Sequence, residues 1–430
     1  MNEERQKQIE HERKLVSKCN ELRDLAKDNL HSLENINSLF SFEGKQNTKL
    51  KKEGHEILSR IGLLRSNGGV CLNCSKNRNL MQTKKGDGLQ WKCNKCKKTT
   101  KSIRHGSIFS ASKKSIYIAL VIIHQFSARS KSKDIINLLN VSDKTVAEWT
   151  NYLRNAQTRI LLQVDLTIGG KEKNCVADET YVYRPPKQGI GKCKEYWRNW
   201  LVVIVEKDST KFVCRLIGKR TRPAIESIIH EHVKVGTTIK TDEHKAYYWL
   251  GKTTSARTFQ PCRPALCIHK KCNHSVGFKA YDGTHTNEIE GQNNLIKHPY
   301  KAMSGLPKSK LPQFLDQLMF EGWVNSVLPY SEESHSRAER DKAFNNYLMF
   351  IVALTELCCS NEEEWFFEHD FVADGGKVKF SDELYLFYKD QGYAKDENDV
   401  PEDDVWELDT EFKGYDFSLE CDDSDDSDYV

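Results

Sequence analysis

Asp178 and Asp242 each sit in an otherwise apolar or β-prone run, "NCVADETYVY" (174–183) and "GTTIKTDEHKAYYWL" (236–250). A carboxylate inside such a run needs a charge partner. Two that face each other do not both ionise cheaply without a cation. Paired carboxylates holding two Mg2+ ions about 3.5–4 Å apart can activate an attacking oxygen and stabilise a leaving one at a phosphodiester. The plainer reading is two surface acids at strand ends. A third ligand is sought in "AYDGTHTNEIEGQNNLIKH" (280–298), where Asn287, Glu288 and Glu290 compete. Asn287–Lys297 reads as one helix ahead of Pro299, a helix breaker, with Thr286 or Asn287 as its cap. Glu290 and Lys297 are seven residues apart and share a face, whereas Glu288 points about 160° away from Glu290.

A second set of chemistry-bearing residues lies upstream. Cys71-Leu-Asn-Cys74 and Cys93-Asn-Lys-Cys96 are separated by 18 residues. Each pair can turn two thiolates onto one tetrahedral ion, the pattern of a structural Zn2+ site. "GDGLQWKC" between them reads as a turn entering a strand, with Trp91 available to cover the site. From Cys71 to Lys114 there are 12 Lys/Arg, Lys97 and Lys98 among them, and one acid, Asp87. A ribbon of that charge suits phosphate; a protein-binding ribbon is the alternative.

The elements that must position these residues follow from periodicity. Lys113–Ala128 reads as an apolar helix, and Ser132–Leu139 as a short one with Ile135, Ile136 and Leu139 apolar. Asn140-Val141-Ser142 is a turn, and Ser142 or Asp143 caps a further helix that buries Val146, Trp149 and Leu153. Lys144, Thr145 and Glu148 are expected outside near its N-terminus, where a recognition helix meets base edges. A plain helical hairpin is the competing reading. Beyond it, 174–183, "WLVVIVEK" (200–207) and "FVCRLIGK" (212–219) read as strands, "TRPAIESIIHEHV" (221–233) as a helix, and 236–250 as a strand ending at Asp242 that runs into a helix. Three strands in a meander, with a fourth joined through a helix, form the order of a ribonuclease-H-like core. Its first and fourth strands are neighbours, so Asp178 and Asp242 can meet.

The 430-residue chain has room for several domains, with 38% hydrophobic and 29% charged residues. No apolar run approaches the ~18–20 residues of a membrane span, and the charged N-terminus has no secretory h-region. The net charge of +4 conceals an asymmetry: residues 396–430 hold 16 acids against one lysine, a net of −15, so residues 1–395 carry +19. A basic body suggests a polyanion partner. With no leader recognised, the 14 cysteines are expected as thiols or metal ligands rather than a disulfide framework.

"VADETYV", "YWRNWLVVIVE", "GTTIKTDEHKAY", "NHSVGF" and "THTNEIEGQNNLIK" resemble the transposases of Merlin-type DNA transposons and their bacterial insertion-sequence relatives, over roughly residues 67–327. The resemblance implies an α/β multidomain protein whose ribonuclease-H-like DDE core follows a zinc ribbon and a helix-turn-helix. It makes Asp178, Asp242 and Glu290 the catalytic acids, holding two Mg2+ (or Mn2+). Asn287, Lys297, His274 and His285 become auxiliary catalytic or DNA-binding residues; the charge of the ribbon and the start of the second helix separately suggest Lys97, Lys98, Lys144 and Thr145 as DNA contacts. It implies cleavage and strand transfer on double-stranded DNA, at terminal inverted repeats and target, by a homodimer or higher homo-oligomer, in the nucleus if the host is eukaryotic. A catalytically silent, host-recruited DNA-binding protein is the competing reading. The sequence departs from the family at Gly291-Gln292-Asn293 and at Leu315-Asp316-Gln317-Leu318, where an arginine is missing.

The expected organisation is a helical region over 1–66, the ribbon over 67–110, the helix-turn-helix region over 111–165, the DDE domain over 172–330, a mixed C-terminal region over 331–395 and a disordered acidic tail over 396–430. Residues 1–66 read as one or two helices. Cys262, Cys267, His269, Cys272 and His274 fall within 13 residues, but their spacing fits no standard zinc knuckle, so buried thiols are expected there.

Overall fold

The computed structural model describes residues 3–40, 48–83, 87–96, 99–110, 112–183, 198–217, 220–242, 244–250, 267–271, 287–302, 310–330, 334–359, 373–374 and 377–378. Contacts divide the chain into two compact units, residues 1–166 with 316–372 and residues 167–315 with 373–430. No described helix is long and apolar enough to cross a membrane. The acidic tail lies outside the described residues.

The first unit opens with α1 (Glu3–Leu30), α2 (Leu33–Phe40) and α3 (Thr48–Ile61), three helices where one or two were expected. Leu15, Cys19, Ala26 and Leu30 are fully buried along α1. A small antiparallel sheet follows, β1 (Arg78–Gln82), β2 (Leu89–Cys93) and β3 (Thr100–Ser102), with β2 in the centre. Then come α4 (Ile116–Ser127), α5 (Ser132–Leu139) and α6 (Asp143–Leu162). Asn140 ends α5 in the left-handed region at φ 48°, which an Asn tolerates. Ser142 caps α6 by accepting the Thr145 N–H. Val146, Trp149 and Leu153 are buried on α6, the stripe that the sequence predicts.

The second unit is built on a five-stranded sheet. Its strands are β4 (Asn174–Tyr183), β5 (Arg198–Glu206), β6 (Phe212–Ile217), β7 (Thr237–Thr241) and β8 (Cys267–Lys271), in the spatial order β6-β5-β4-β7-β8. The β4–β5 and β5–β6 pairs are antiparallel, whereas β4–β7 and β7–β8 are parallel. Helix α7 (Arg222–His232) carries the chain from β6 to β7, and its Ile225, Ile228 and Ile229 pack on Cys175, Ala177, Val202, Ile204 and Ile239 of the sheet. The helix expected after Asp242 is a single 3-10 turn, Lys245–Tyr247. Strand β8 was not anticipated from its short, half-polar sequence.

Helix α8 (Asn287–Ala302) contacts β4 and β5. It continues through Pro299, which the sequence had marked as its stop. An interior proline removes one hydrogen bond and costs about 3 kcal/mol. Packing opposes that cost: Ile296 and Tyr300 are buried, and the Tyr300 ring lies 6.2 Å from Phe314. Helix α9 (Leu311–Val327) runs across the boundary between the units. Helix α10 (His335–Cys359) replaces the first part of the mixed region expected over 331–395, and it packs against α1, with Cys19 Sγ 3.7 Å from Met349 Sδ.

Candidate active site

Alternation along β4 sorts its side chains onto two faces. Cys175 and Ala177 enter the core shared with α7, and Glu179 shares their side; Asp178 points the opposite way. The parallel register with β7 pairs Asn174 with Thr238, Cys175 with Ile239 and Val176 with Lys240. Counted two residues beyond the last pair, that offset would match Asp178 to Asp242, which follows the end of β7. Asp178 on β4 and Asp242 just after β7 thus both lie beyond the last β4–β7 pair, on its C-terminal side. Glu290 lies in the first turn of α8, the helix that packs on β4 and β5. Asn287 is the first residue of that helix.

Residues 173–321 match the ISXO2-like transposase domain. This stretch is a relative of the DDE-type insertion-sequence transposases. No curated protein matches the chain. The transposase domain takes in β4 to β8, α7, α8 and the first part of α9. The cysteine pairs and α4 to α6 precede it.

Around the acids of the transposase domain lie side chains that the sequence reading left unassigned. Asp242 Oδ1 accepts the His244 N–H at 3.0 Å, and Asp178 Oδ1 accepts the Glu179 N–H at 2.9 Å. His244 Nδ1 is 3.8 Å from Glu179 Oε2, whose side chain is only 2% exposed. Burial, opposed by the Tyr247 hydroxyl and reinforced by the Asp242 charge, pushes Glu179 up to about 7. Burial also pushes the Tyr247 phenol well above its usual value and lowers His244. His244 Nδ1 is buried with no hydrogen-bond partner among the described residues. The period-two alternation that separates Asp178 from Glu179 was the available sequence signal for this inner cluster.

Lys297, one turn before the end of α8, lies 5.7 Å from the centroid of the Tyr181 ring. His274 and His285 lie outside the described residues. So do Cys262 and Cys272 of the cysteine–histidine stretch, where buried thiols were expected. Its two described members are in β8: Cys267 is buried in the core, which pushes its thiol up to about 11, and His269 Nε2 lies 2.8 Å from Thr241 Oγ1.

In the first unit, Cys71, Cys74, Cys93 and Cys96 converge, with their four sulfurs all within 4.8 Å of one another. Cys71 Sγ is 3.5 Å from Cys96 Sγ, and Cys74 Sγ is 3.3 Å from Cys93 Sγ. A tetrahedral ion with zinc–sulfur bonds of about 2.3 Å separates its ligands by about 3.8 Å, so the cluster is compatible with zinc. The Thr99 hydroxyl, 3.1 Å from Cys71 Sγ, pulls that thiol down to about 6. The Ser75 N–H closes the first knuckle on the Cys71 carbonyl at 2.8 Å. Trp91, on the same side of β2 as Cys93, packs edge-on against His55 with centroids 5.4 Å apart.

Lys97 and Lys98 lie outside the described residues. Lys144 is exposed at the start of α6, 4.0 Å from Glu148. Thr145, expected on the outer face, is buried instead: its hydroxyl lies 2.9 Å from Ser142 Oγ and belongs to the helix cap. At 9% exposure Thr145 has little surface to present to DNA.

Proposed function

We propose that this chain is a DNA transposase that binds the terminal inverted repeats of its element and carries out metal-dependent phosphodiester cleavage and strand transfer. The observation that carries this reading is the parallel pairing of β4, which bears Asp178, with β7, which Asp242 follows, within the stretch that matches the transposase domain. The strand order, with an antiparallel meander and a fourth strand parallel to the first, supports a ribonuclease-H-like core. Glu290 on α8 is the third acid. Two neighbouring carboxylates repel unless a cation lies between them, so the donor set fits Mg2+ or Mn2+. Such ions would activate the attacking oxygen and stabilise the leaving one.

The protein's own part is to position. Asp178 is held by the pairing of β4 with β5 at Val203, and Asp242 by the turn at His244. Lys297 offers a cation to the DNA backbone on the helix that bears Glu290. Asn287, His274 and His285 are auxiliary groups at the same site. The four cysteines hold a structural Zn2+, and α5 and α6 act as a helix-turn-helix with Lys144 at its DNA face. The ribbon lysines, including Lys97 and Lys98, bind phosphate.

The test is strand cleavage of DNA carrying the element's own termini, with Mg2+, by the full chain. Asp178→Asn and Asp242→Asn should each lose at least about 100-fold, the scale of removing one charge-stabilising group. A wild type that cuts no better than Asp178→Asn sinks the enzyme reading and leaves a DNA-binding protein.

A further inference from the structure

Asp242 stands one residue beyond β7, where the strand ladder no longer holds it. The last pairs of β7 are Val176↔Lys240 on one side and Thr241↔Lys271 on the other. Something else must fix its backbone, and the neighbouring side chains supply it. Thr241 is fully buried, and its hydroxyl lies 2.7 Å from the Asp242 carbonyl oxygen and 2.8 Å from His269 Nε2.

A hydroxyl has one hydrogen to give. The Asp242 carbonyl has none, so Thr241 donates there. The Thr241 oxygen is then an acceptor toward β8, and His269 must carry its hydrogen on Nε2. The chain runs from His269 Nε2–H to Thr241 Oγ1–H to the Asp242 carbonyl. Burial pushes His269 down to about 4, which keeps the ring neutral at neutral pH and leaves it one N–H to place. On the other side the Asp242 carboxylate is tied by the His244 N–H at 3.0 Å.

We infer that His269 is a positioning residue for Asp242, acting through Thr241. The inference rests on Asp242 being a metal ligand, as proposed above. It also gives His269 a different task from the cysteine–histidine metal cluster considered for residues 262–274. Groups that orient metal ligands in this way typically change metal affinity 10–100-fold when removed.

The experiment is a Mn2+ titration of the full, zinc-loaded chain, with free Mn2+ followed by its electron paramagnetic resonance signal and no turnover required. Thr241→Val keeps the shape and removes the hydroxyl; His269→Leu removes the donor. Each should weaken Mn2+ binding about 10–100-fold relative to wild type, with zinc content retained. Thr241→Ser and His269→Gln restore a hydroxyl and an N–H, and should bind within about threefold of wild type. If Thr241→Val and His269→Leu bind Mn2+ like wild type while Asp242→Asn does not, the positioning role is wrong and the acid-pair site stands. If the conservative variants lose affinity as severely as the disruptive ones, the effect is packing, and the inference is overturned. Should Asp242→Asn bind as well as wild type, or wild type bind no Mn2+, both readings fall together.

Discussion

Arg104 holds Asp87 through two hydrogen bonds, from Nε to Oδ2 at 2.5 Å and from Nη2 to Oδ1 at 2.6 Å. The third guanidinium nitrogen donates to the carbonyls of Ser112 and Lys114 at 2.6 and 2.7 Å. Asp87 Oδ1 also accepts the Ile116 N–H at the start of α4. The single acid among the 12 basic residues of 71–114 is therefore a fastener. It ties the cysteine-bearing sheet to the first turn of α4, where a negative charge is also favoured by the helix dipole.

Both partners are largely buried, the side chains 7% and 13% exposed. Breaking such a pair from one side leaves an uncompensated buried charge, at a cost of about 3–5 kcal/mol. Asp87→Ala should therefore lower the unfolding free energy of the first unit by that amount in urea denaturation. The double change Asp87→Leu with Arg104→Met should cost less than Asp87→Ala alone. A single variant indistinguishable from wild type would show that the pair is not buried in solution.

The four-sulfur cluster predicts a metal dependence of folding. Binding energy of a structural ion is folding energy, about 10–16 kcal/mol in small zinc units at neutral pH. Elemental analysis of the purified chain should find zinc, and Cys74→Ser should lose it. Chelation should shift the near-ultraviolet circular dichroism of Trp91, which packs on His55 beside β2. Full retention of the tertiary signal after metal removal would contradict a structural role.

What the sequence made legible depended on one-sided burial or on tight local chemistry. Strand β4 spans Asn174–Tyr183 as read, because its apolar residues stand between polar turns. Helix α6 was read from Val146, Trp149 and Leu153, with Ser142 or Asp143 as its cap, and Ser142 takes that place. Helix α10 was missed because Tyr347 to Leu354 are buried all the way round, so no polar face gives a period. Strand β8, "CIHKK", gains its place from pairing with β7 rather than from its own propensity. Thr145 was misplaced because a cap hydroxyl and a DNA-contacting hydroxyl look the same in sequence. At the site, the neighbouring places of β4 and β7 were readable from strand order. The inner cluster of Glu179, His244 and Tyr247 was not, since it depends on which side of β4 meets the 3-10 turn after β7.

Glu179 gives the second unit a pH dependence of known sign. Its folded value, about 7, lies above the ordinary carboxyl value of 4.5, because burial disfavours the charge. The folded state therefore holds a proton that the unfolded state has released between those two values. Stability from this group is complete below about pH 4.5, declines as pH rises toward 7, and is lost above it. The loss amounts to about 3 kcal/mol at 1.36 kcal/mol per unit. Glu179→Gln, which stays neutral, should remove this decline. The comparison is made by thermal or urea unfolding from pH 5 to 8 without added divalent cation. Parallel pH profiles for the two proteins would mean that Glu179 ionises freely in the fold.

Gly169 and Gly170 separate backbone strain from collision at the entry to the sheet. Gly169 has φ +75°, and its N–H donates to Glu206 Oε2 at 2.8 Å. A Cβ there would stand 2.2 Å from Thr237 Oγ1 and 2.6 Å from Thr237 Cγ2. Thr237 cannot withdraw easily: it is fully buried, accepts the Gly170 N–H at 2.8 Å and donates to the Lys234 carbonyl at 2.6 Å. Gly170 has φ +130°, yet a Cβ there would meet only Lys234 Cδ at 3.8 Å. Gly170→Ala should therefore cost backbone strain alone, about 1–3 kcal/mol. Gly169→Ala adds an overpacking term of about 1–3 kcal/mol on top of comparable strain. Because Thr237 begins the strand that leads to Asp242, the damage should also reach the acid pair and lower Mn2+ affinity in Gly169→Ala more than in Gly170→Ala. Urea unfolding and Mn2+ titration of the two variants check the order, and a Gly170→Ala protein less stable than Gly169→Ala would refute it.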